Sequence, residues 1–466
     1  MPLTNEEQNL LTRLENQRAQ LQVKDRQNLL YFQGRQHIQF LGLRLRAEWL
    51  TQAFPLSWCK TLVDVIVQRQ QVARLLRRGQ FKEDERLRRI YDQSDLDAQF
   101  GKFCSDLAIY GRAFLSVSMT DGGPRIVVEP VSAMTLIHDV YGTTLAALRI
   151  YYDEHSRETR KVLYMPDATV VIDGKGLITR TRHYLGRVPV VMAESQKYDG
   201  TSTSEPIFEP LKRLSDMSAE ALLNARVALE TSASPQKAFI DAAAQVFDED
   251  GNPVSIFESF YDNILTLFSS PKDDGSGTQQ AKIEQLPGAN MTPFLDTLRM
   301  LGEQASAASG LPMRMLGHVT ANPPSEMTVR GEEARLVRIV ETSNASAGAA
   351  LGWALAIGER LETGQWPEDG SIDVSFRDPG TPTMSQQADA LVKQVQIQMM
   401  SRRSAMEEKG WSDARIDREF DRIADEMALF SGMAYRELGR SASGEDEVLD
   451  GELVQEQLQL READDI

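Results

Sequence analysis

The chain has 466 residues and a formal net charge of −17, with 41% hydrophobic and 26% charged residues. This length predicts two to four packed units of about 100–200 residues each. No apolar run approaches the roughly 20 residues of a membrane-spanning helix. No basic and apolar leader opens the sequence, so we expect no secretory signal. The two isolated cysteines, Cys59 and Cys104, fit a reducing compartment and exclude a disulfide framework.

The negative charge is unevenly distributed along the chain. Residues 441–466 contain nine acidic residues and one arginine, a net charge of −8, so the other 440 residues carry −9. Tight DNA binding depends on clustered lysine and arginine residues that displace counterions from phosphates. The charge therefore excludes a protein that grips DNA strongly. The acidic end, almost without aromatic residues, is expected to be disordered.

The first quarter of the chain is predicted to be mainly helical. Apolar spacing and turn residues predict a helix over residues 4–33 that ends at Gly34, and a second helix after Pro55. A short polar helix is expected at 86–91, and a fourth helix over 95–112.

Alternating apolar and polar residues then predict strands. Phe114–Ser118 and Arg125–Glu129 flank an Asp-Gly-Gly-Pro turn, which indicates a hairpin. Four more strand-like segments follow, separated by turn residues: 146–152, 160–164, 168–172 and 177–184. Together they predict one β-rich unit from about residue 113 to 192.

Helical spacing returns over residues 205–231. Residues 236–290 contain short strand-like pieces broken by turn sequences, which predicts a small inserted subdomain. The next helix is expected to begin with Thr292 as its N-cap and Pro293 at the first helical position, and to end at Gly310.

The helix that follows Thr292 has two distinct faces. At 100° per residue, its apolar side chains share one face, which is expected to be its packing face: Phe294, Leu298, Leu301, Ala305 and Ala308. Three charged residues share the opposite face: Asp296, Arg299 and Glu303.

The longest predicted helix runs over residues 325–361, about 55 Å at the usual rise. Its apolar residues form one stripe, so only a narrow side is expected to be buried. A strand is expected at Ile372–Phe376, followed by helices over 385–408 and 413–430, the second capped by Ser412.

The sequence contains no pattern typical of a catalytic or cofactor site. Its five histidines are scattered and have no ligand-spaced partner, so no common zinc motif is present. The glycine–lysine pairs lack the flanking residues of a phosphate-binding loop, and no nucleophile elbow or dinucleotide glycine pattern occurs. Cys104 lies among apolar helical residues and is expected to be a small buried side chain. We therefore expect no enzymatic activity, no metal and no cofactor.

An ordered set of short segments resembles the SPP1-type portal proteins of long-tailed bacteriophages. The matching segments are Leu30–Gly34, Asp106–Leu115, Gly186–Val191, Ser204-Glu205, Ser309–Pro312, Leu316-Gly317, Asn322-Pro323, Ser325-Glu326, Arg330–Val337, Asp378-Pro379 and Ala388–Ala390. Each segment is weak alone, but their order and spacing over residues 29–394 are specific.

The resemblance implies a multidomain α+β portal fold. Its parts would be a wing of helices and β-structure at 1–204, a stem helix at 205–235, a small α/β clip at 236–290, a second stem helix at 291–310, a tunnel loop at 311–325, a long wing helix and strand at 326–384, a helical crown at 385–440 and the acidic tail at 441–466.

The same resemblance implies a function and a set of partners. In this family a ring, usually of twelve copies, occupies one capsid vertex and encloses a channel for double-stranded DNA. The ring would bind the large terminase subunit during packaging and a head-completion adaptor afterwards, and would contact major capsid and scaffolding proteins. The protein would lie in the host cytoplasm during assembly and in the virion afterwards, with no membrane partner.

The resemblance also assigns candidate site residues. The charged stem face would line the channel, and the small residues Ala305 and Ala308 on the opposite face would suit close packing between neighbouring subunits. The tunnel loop would contact DNA non-specifically through four polar or basic residues: Arg314, His318, Thr320 and Asn322. The loop contains no lysine, which favours weak polar contact. For His318 we expect a hydrogen-bonded loop residue rather than a pH switch.

Two other functions stay open on the sequence alone. A phage head or tail structural protein would assemble without a DNA channel, so imaging for rings with a central hole discriminates it. A DNA-packaging enzyme would hydrolyse ATP or cut DNA. The missing phosphate loop and metal-binding carboxylate cluster disfavour the enzyme.

Overall fold

The computed structural model describes residues 2–37, 55–80, 82–139, 141–195, 205–233, 237–240, 246–247, 253–254, 282–285, 290–317, 326–367, 372–380, 391–409, 411 and 415–429. The chain divides into two compact units, Met1–Gly380 and Thr381–Ile466. The first unit mixes helices with antiparallel sheets, and the described part of the second is helical.

The helices of the first unit are α1 (Asn5–Gln33), α2 (Trp58–Gln68), α3 (Glu85–Gln93), α4 (Leu96–Tyr110), α5 (Lys212–Ala233), α6 (Thr292–Ser309) and α7 (Glu326–Thr363), with 3-10 turns at Glu209–Leu211 and Met313–Leu316. Its strands are β1 (Val72–Arg77), β2 (Arg112–Thr120), β3 (Gly123–Glu129), β4 (Met134–His138), β5 (Thr144–Asp153), β6 (Glu158–Tyr164), β7 (Ala168–Ile172), β8 (Ile178–Arg182), β9 (Val190–Glu194), β10 (Lys237–Ile240), β11 (Val246–Phe247), β12 (Pro253–Val254), β13 (Lys282–Gln285) and β14 (Ile372–Phe376).

The β-rich part contains two sheets, a division that the sequence does not predict. A three-stranded sheet has the order β3-β2-β9, and a five-stranded meander has the order β4-β5-β6-β7-β8. The predicted hairpin is confirmed, with Phe114 opposite Glu129. The four later predicted strands are confirmed as β5 to β8. Strands β4 and β9 were missed because they are short and almost wholly buried, and so lack an alternating pattern.

Helix α1 begins and ends as the sequence indicates. Thr4 and Glu7 form a reciprocal capping box at its start, and Gly34 ends it with φ 64°. The helix packs on the five-stranded sheet through the buried Leu14. Two ion pairs fasten it there: Arg180 contacts Glu7 at 2.6 Å, and Lys161 contacts Glu15 at 2.6 Å.

Helix α7 corrects the expectation of one narrow buried stripe. Its residues 354–359 are buried without interruption, because this half of the helix packs on the three-stranded sheet, β14 and α3. Two glycines allow the strands to approach. A Cβ atom at Gly352 would lie 2.5 Å from the Ile372 carbonyl oxygen, and one at Gly348 would lie 3.0 Å from the Phe376 ring. The helix is therefore a core element of its own chain.

Proline placement shifts the start of α5. The sequence places the helix from residue 205, but a 3-10 turn at Glu209–Leu211 comes first and the α-helix begins at Lys212. Pro206 and Pro210 have no backbone N–H, so they cannot make the internal hydrogen bonds of an α-helix.

The inserted subdomain is described only at four short strands. Strand β10 pairs antiparallel with β13, and β11 pairs with β12, which confirms strand pairing within the predicted segment. The rest of residues 236–289 lies outside the described residues, as does the acidic end of the chain.

In the second unit, the predicted helix over 385–408 is interrupted. Residues 391–396 and Arg402–Glu408 are helical, but a turn that contains Gln398 at φ 57° separates them. A second helical segment at 415–429 is confirmed, whereas Ser412 lies outside the described residues. Arg403 pairs with Asp417 at 3.1 Å and so connects the two segments.

Asp106 on α4 is a buried carboxylate with an incomplete set of partners. No described residue donates a hydrogen bond to its Oδ2 atom. Burial raises the pKa of Asp106 from 3.8 to about 6, although the positive charge of Lys102 opposes the shift. Because the folded state holds this proton more tightly than the unfolded state, stability falls as pH rises from about 4 to about 6, and the penalty is complete above that.

Asp106→Asn is therefore expected to stabilise the protein at pH 7.5 by roughly 1–3 kcal/mol, because the neutral amide avoids burying a charge. The gain should shrink at pH 5 and disappear near pH 4. Thermal unfolding of both proteins across this pH range measures the difference. A gain that stays constant with pH would contradict the assignment to Asp106 ionisation.

Two searches of the described residues give negative findings. No helix among them is long and apolar enough to cross a membrane. No group of three or more histidine, cysteine or acidic side chains among them is placed to hold a metal ion.

Candidate functional site

Helices α5 and α6 flank the inserted subdomain and pack against each other. Their inner sides join one hydrophobic core with α2 and the first half of α7. Leu301 and Ala305 of α6, Leu211 before α5, and Leu336 and Val340 of α7 lie in this core. The surface around these helices and the turn after α6 is the candidate functional site.

Helix α6 separates its apolar and charged residues as the sequence predicts. Leu301 and Ala305 are buried, while Phe294, Leu298 and Ala308 are half-buried. Asp296, Arg299 and Glu303 are exposed, and Arg299 pairs with Glu303 at 3.5 Å. This face carries both positive and negative charges and does not pack against the core of its own chain. What it lines stays a prediction.

The apolar face of α6 is covered by the chain itself. Leu301 and Ala305 are 2% and 0% exposed, because they pack against α2 and α7 of the same molecule. Ala305 therefore packs within its own chain. Packing of the half-buried Ala308 between neighbouring subunits stays a prediction. The small side chain of Ala305 allows close packing within one chain.

The start of α6 also differs from the prediction by one residue. Met291 is the N-cap and makes no side-chain cap, so Thr292 and Pro293 lie inside the first turn. The Asn290 side chain accepts a hydrogen bond from the Thr292 backbone N–H at 3.0 Å. An asparagine upstream thus satisfies the Thr292 N–H, one of the donors that an α-helix leaves without an internal partner in its first turn.

The turn after α6 is held by side chains of α6 and α7. Gly310 ends α6 with φ 75°, as predicted. Arg335 of α7 donates to the carbonyl oxygens of Ala307 and Ala308, the latter at 3.5 Å. The Ser309 hydroxyl accepts from the Leu311 backbone N–H at 3.2 Å. The end of α6 and the start of the turn are thereby fixed to the long helix.

A charged cluster fixes the far end of the same turn. Arg314 of the turn pairs with Glu333 of α7, which is 4% exposed. Arg69, just after α2, donates to the other Glu333 oxygen at 3.3 Å and to the Pro379 carbonyl at 3.2 Å. One carboxylate therefore ties α7, the turn and the end of α2 together. We call Arg69, Arg314 and Glu333 the Glu333 cluster.

The Glu333 cluster changes the reading of Arg314. The sequence placed Arg314 among residues that contact DNA, but its charge is balanced by Glu333 and by Glu332 at 3.9 Å. Arg314 is therefore an ion-pair partner of α7, and its contact with DNA stays a prediction. The other predicted loop residues, His318, Thr320 and Asn322, lie outside the described residues.

The first turns of α5 are anchored to α1. Tyr31 donates to Asp216 at 2.8 Å, and burial raises the pKa of Tyr31. Lys212 donates to Asn28 at 2.8 Å. Cys59 lies in the same core, and burial raises the pKa of its thiol to about 12, so the thiolate needed for reactivity is scarce at neutral pH. These contacts hold α5 in position and offer no reactive group.

No pattern in the sequence predicts the Glu333 cluster. Its members come from three elements, and Arg69 and Glu333 are 264 residues apart. Helical spacing in the sequence predicted proximity only for residues of one helix, namely those on the charged face of α6. The described arrangement can position helices and present mixed charge.

A family model described as "Phage portal protein, SPP1 Gp6-like" matches residues 31–428 of this chain. The portal protein of Mycobacterium phage D29 is 27% identical over 388 residues, which cover 79% of this chain and 78% of the relative. The portal protein of Mycobacterium phage L5 is 27% identical over 386 residues, which cover 78% and 77%.

Two solved structures are similar at low sequence identity. One is described as "Virion of native gene transfer agent (GTA) particle", with a TM-score of 0.45, 14% identity, and coverage of 76% of this chain and 90% of that chain. The other is described as "Neck of empty GTA particle computed with C6 symmetry", with a TM-score of 0.45, 13% identity, and coverage of 75% and 87%. Likeness at this TM-score supports no conclusion about function.

Proposed function

Because this chain belongs to the SPP1 Gp6-like family of phage portal proteins, we propose that it forms a ring at one capsid vertex and conducts double-stranded DNA through the ring. The family match over residues 31–428 is the observation that carries the proposal. The two mycobacteriophage portal proteins support it, because their similarity extends over most of both chains.

The proposal includes the assembly partners of a portal. A ring of about twelve copies would receive DNA from the large terminase subunit and later bind a head-completion adaptor. It would assemble with major capsid and scaffolding proteins in the host cytoplasm and remain in the virion. The protein would act as a conduit and docking ring, with no covalent chemistry of its own.

The charge of the chain fits a conduit. A channel wall must not hold its cargo, because each tight phosphate contact is a barrier to sliding. The net charge of −17 and the mixed charges of Asp296, Arg299 and Glu303 favour weak, sequence-independent contact. We propose that this exposed face of α6 lines the channel.

Imaging of the purified full-length protein tests the ring. Negative-stain images are expected to show rings with a central hole, and mass photometry should give a closed multiple of the 52.2 kDa chain. A protein that stays monomeric, or forms sheets at every salt and concentration, would contradict the proposal. Planar protein assemblies would favour a head or tail structural protein. ATP hydrolysis or DNA cleavage by the pure chain would favour a packaging enzyme.

Glu303→Lys tests the channel face. The added positive charge is expected to slow DNA packaging and ejection severalfold, since twelve new cations around a channel would attract phosphates. Stability should hardly change, because the exposed Arg299–Glu303 pair contributes at most about 0.5 kcal/mol. Packaging of labelled DNA into preformed heads measures the effect.

Asp121→Lys is the matched control, because Asp121 lies exposed in the turn between β2 and β3 and receives the same charge change. Packaging by this variant should equal that of the parent protein. Equal rates for Glu303→Lys and Asp121→Lys would show that the charged face of α6 does not line the channel.

A further inference from the structure

The first half of α6 has a surface that the described part of its own chain leaves uncovered. No residue from Thr292 to Met300 is buried, whereas Leu301 and Ala305 in the second half are. Two large apolar side chains lie on this surface: Leu295 is 63% exposed and Met300 is 51% exposed. Apolar side chains gain free energy when they leave water, so this half of the helix favours a partner.

The two apolar side chains lie on opposite sides of the charged face. At 100° per residue, Leu295 lies about 70° to one side of the centre of the face formed by Asp296, Arg299 and Glu303, and Met300 lies about 70° to the other side. A helix whose charged face points to the axis of a ring has one neighbour on each side of that face. Each apolar side chain is therefore directed towards a different neighbour.

The Met300 side of α6 forms a hole that can receive a side chain of another helix. Four exposed residues surround it, each three, four or seven positions from the first: Pro293, Asp296, Thr297 and Met300. Four residues at this spacing surround each inserted side chain in knobs-into-holes packing. Along the helix axis, Leu295 lies about 2 Å from the centre of this hole. Copies related by rotation keep equivalent residues at one height, so Leu295 is level with the hole of the next copy.

The directions of Leu295 and of the hole also fit a closed ring. They differ by about 150°, measured across the charged face. In a ring of twelve copies the directions from one subunit to its two neighbours differ by about 150° as well, and this angle opens towards the ring axis. Glu303 lies near the middle of the angle, which agrees with the proposed channel face.

The charges on the two sides of α6 are complementary. The helix contains three charged residues, of which Arg299 lies on the Leu295 side and Asp296 borders the hole. A contact between the Leu295 side of one copy and the hole of the next brings Arg299 close to Asp296. Within one chain Arg299 contacts Glu303 at 3.5 Å, and both side chains are exposed, so this weak pair leaves Arg299 able to bind a second carboxylate.

We propose that Leu295 of each copy inserts into the hole formed by Pro293, Asp296, Thr297 and Met300 of the next copy, so that the α6 helices form a continuous wall of the ring. The inference rests on the proposed ring. Helices packed in this way lie about 8–10 Å apart, and twelve of them enclose a channel roughly 20–28 Å wide. Such a channel admits double-stranded DNA.

Disulfide trapping in the full-length ring tests the contact. In Leu295→Cys/Thr297→Cys, the proposed packing places the Cβ atoms of neighbouring copies within about 5–6 Å, so small movements allow a disulfide to form. Mild oxidation is expected to give a ladder of dimers, trimers and higher multiples in a denaturing gel. Within one chain the two positions lie about 160° apart around the helix and cannot join. Both native cysteines are buried.

Leu295→Cys/Gln304→Cys is the matched control for the ladder. Gln304 is exposed and lies seven residues after Thr297, so it occupies the same side of α6 but about 10 Å further along the axis. Neighbouring copies of this variant should form few disulfides.

An assembly measurement provides the second arm. Leu295→Glu is expected to raise the protein concentration needed for half-assembly by at least about tenfold, since it places a charge in an apolar contact beside Asp296. Leu177→Glu should leave assembly unchanged, because Leu177 is 67% exposed in the turn between β7 and β8 and receives the same change.

The outcomes separate this inference from the proposed function. Rings that form normally but give no ladder with Leu295→Cys/Thr297→Cys, or a ladder of equal yield with the control, overturn the α6 contact and leave the portal function standing. Equal half-assembly concentrations for Leu295→Glu and Leu177→Glu overturn the contact as well. A parent protein that forms no rings overturns both the contact and the proposed function.

Discussion

Replacing Gly111 by alanine is expected to lower the free energy of unfolding of the first unit by about 2–5 kcal/mol. Gly111 ends α4 with φ 73°, where an alanine is strained. An added Cβ atom would also lie 2.8 Å from the Glu205 backbone nitrogen and closer still to its carbonyl oxygen. The backbone at Glu205 would have to move.

That movement would disturb a junction of three segments. The Ser195 backbone N–H donates to the Gly111 carbonyl at 2.8 Å, and the Ser195 hydroxyl donates to the Glu205 carbonyl at 2.9 Å. Two residues on, the Ile207 N–H donates to the Ala108 carbonyl at 2.9 Å. The apparent melting temperature should therefore fall by roughly 3–6 °C in a thermal scan, because the unfolding entropy of a unit this large is high.

Gly101→Ala provides the control within the same helix. An added Cβ atom at Gly101 would meet nothing within 4 Å. Alanine forms helices better than glycine, so this variant should be neutral or more stable by up to about 1 kcal/mol. If Gly111→Ala and Gly101→Ala had the same melting temperature, the close approach of Glu205 would not constrain the fold.

The second large effect is expected for Glu333→Ala, which removes the shared carboxylate of the Glu333 cluster. Arg69 would remain mostly buried, with a side chain 14% exposed, and Arg314 half-buried beside it. Leaving such charges unpaired costs about 3–5 kcal/mol when both are buried. Because Arg314 is partly solvated, we expect a loss of roughly 2–4 kcal/mol.

The neighbouring residue supplies a matched control. Glu332 lies 3.9 Å from Arg314 and is exposed, so Glu332→Ala should cost less than about 1 kcal/mol. The melting temperatures of Glu333→Ala, Arg314→Ala and the double variant form a cycle that isolates the pair. Additive losses in this cycle would mean that Arg314 and Glu333 do not interact.

The Glu333 cluster also bears on function. It fixes the turn that directly precedes residues 318–325, where the sequence places DNA-contacting residues. If Glu333→Ala rings still assemble at low temperature, DNA packaging should slow, because that turn loses its anchor to α7. Unchanged packaging would show that the Glu333 cluster does not affect the passage of DNA through the channel.

Local signals were sufficient for several elements. The helix ends at Gly34 and Gly310 follow from a glycine in the left-handed conformation. The hairpin of β2 and β3 follows from alternation around a glycine-rich turn. These features depend on hydrogen bonds between residues close in sequence, so a short window contains the information that determines them.

Other elements depend on partners far along the chain. Strand β1 pairs with β14, with Val72 opposite Phe376. The residues next to either strand in the sequence do not indicate which strand pairs with it. The wide burial of α7 follows from the sheets that cover it, which an apolar stripe alone does not reveal. The ion pair of Arg314 likewise depends on Glu333, a residue of another element, lying next to it.

The sequence by itself determined the family of this protein, the order of most of its helices and strands, and the mixed charges on the exposed face of α6. Only the tertiary structure decided that Gly111 is required by the backbone of Glu205 and that Arg314 is an ion-pair partner of Glu333. The physical reason is the distance along the chain over which each interaction acts. Capping and periodicity act over a few residues, whereas packing, ion pairing and open edges depend on where distant segments meet.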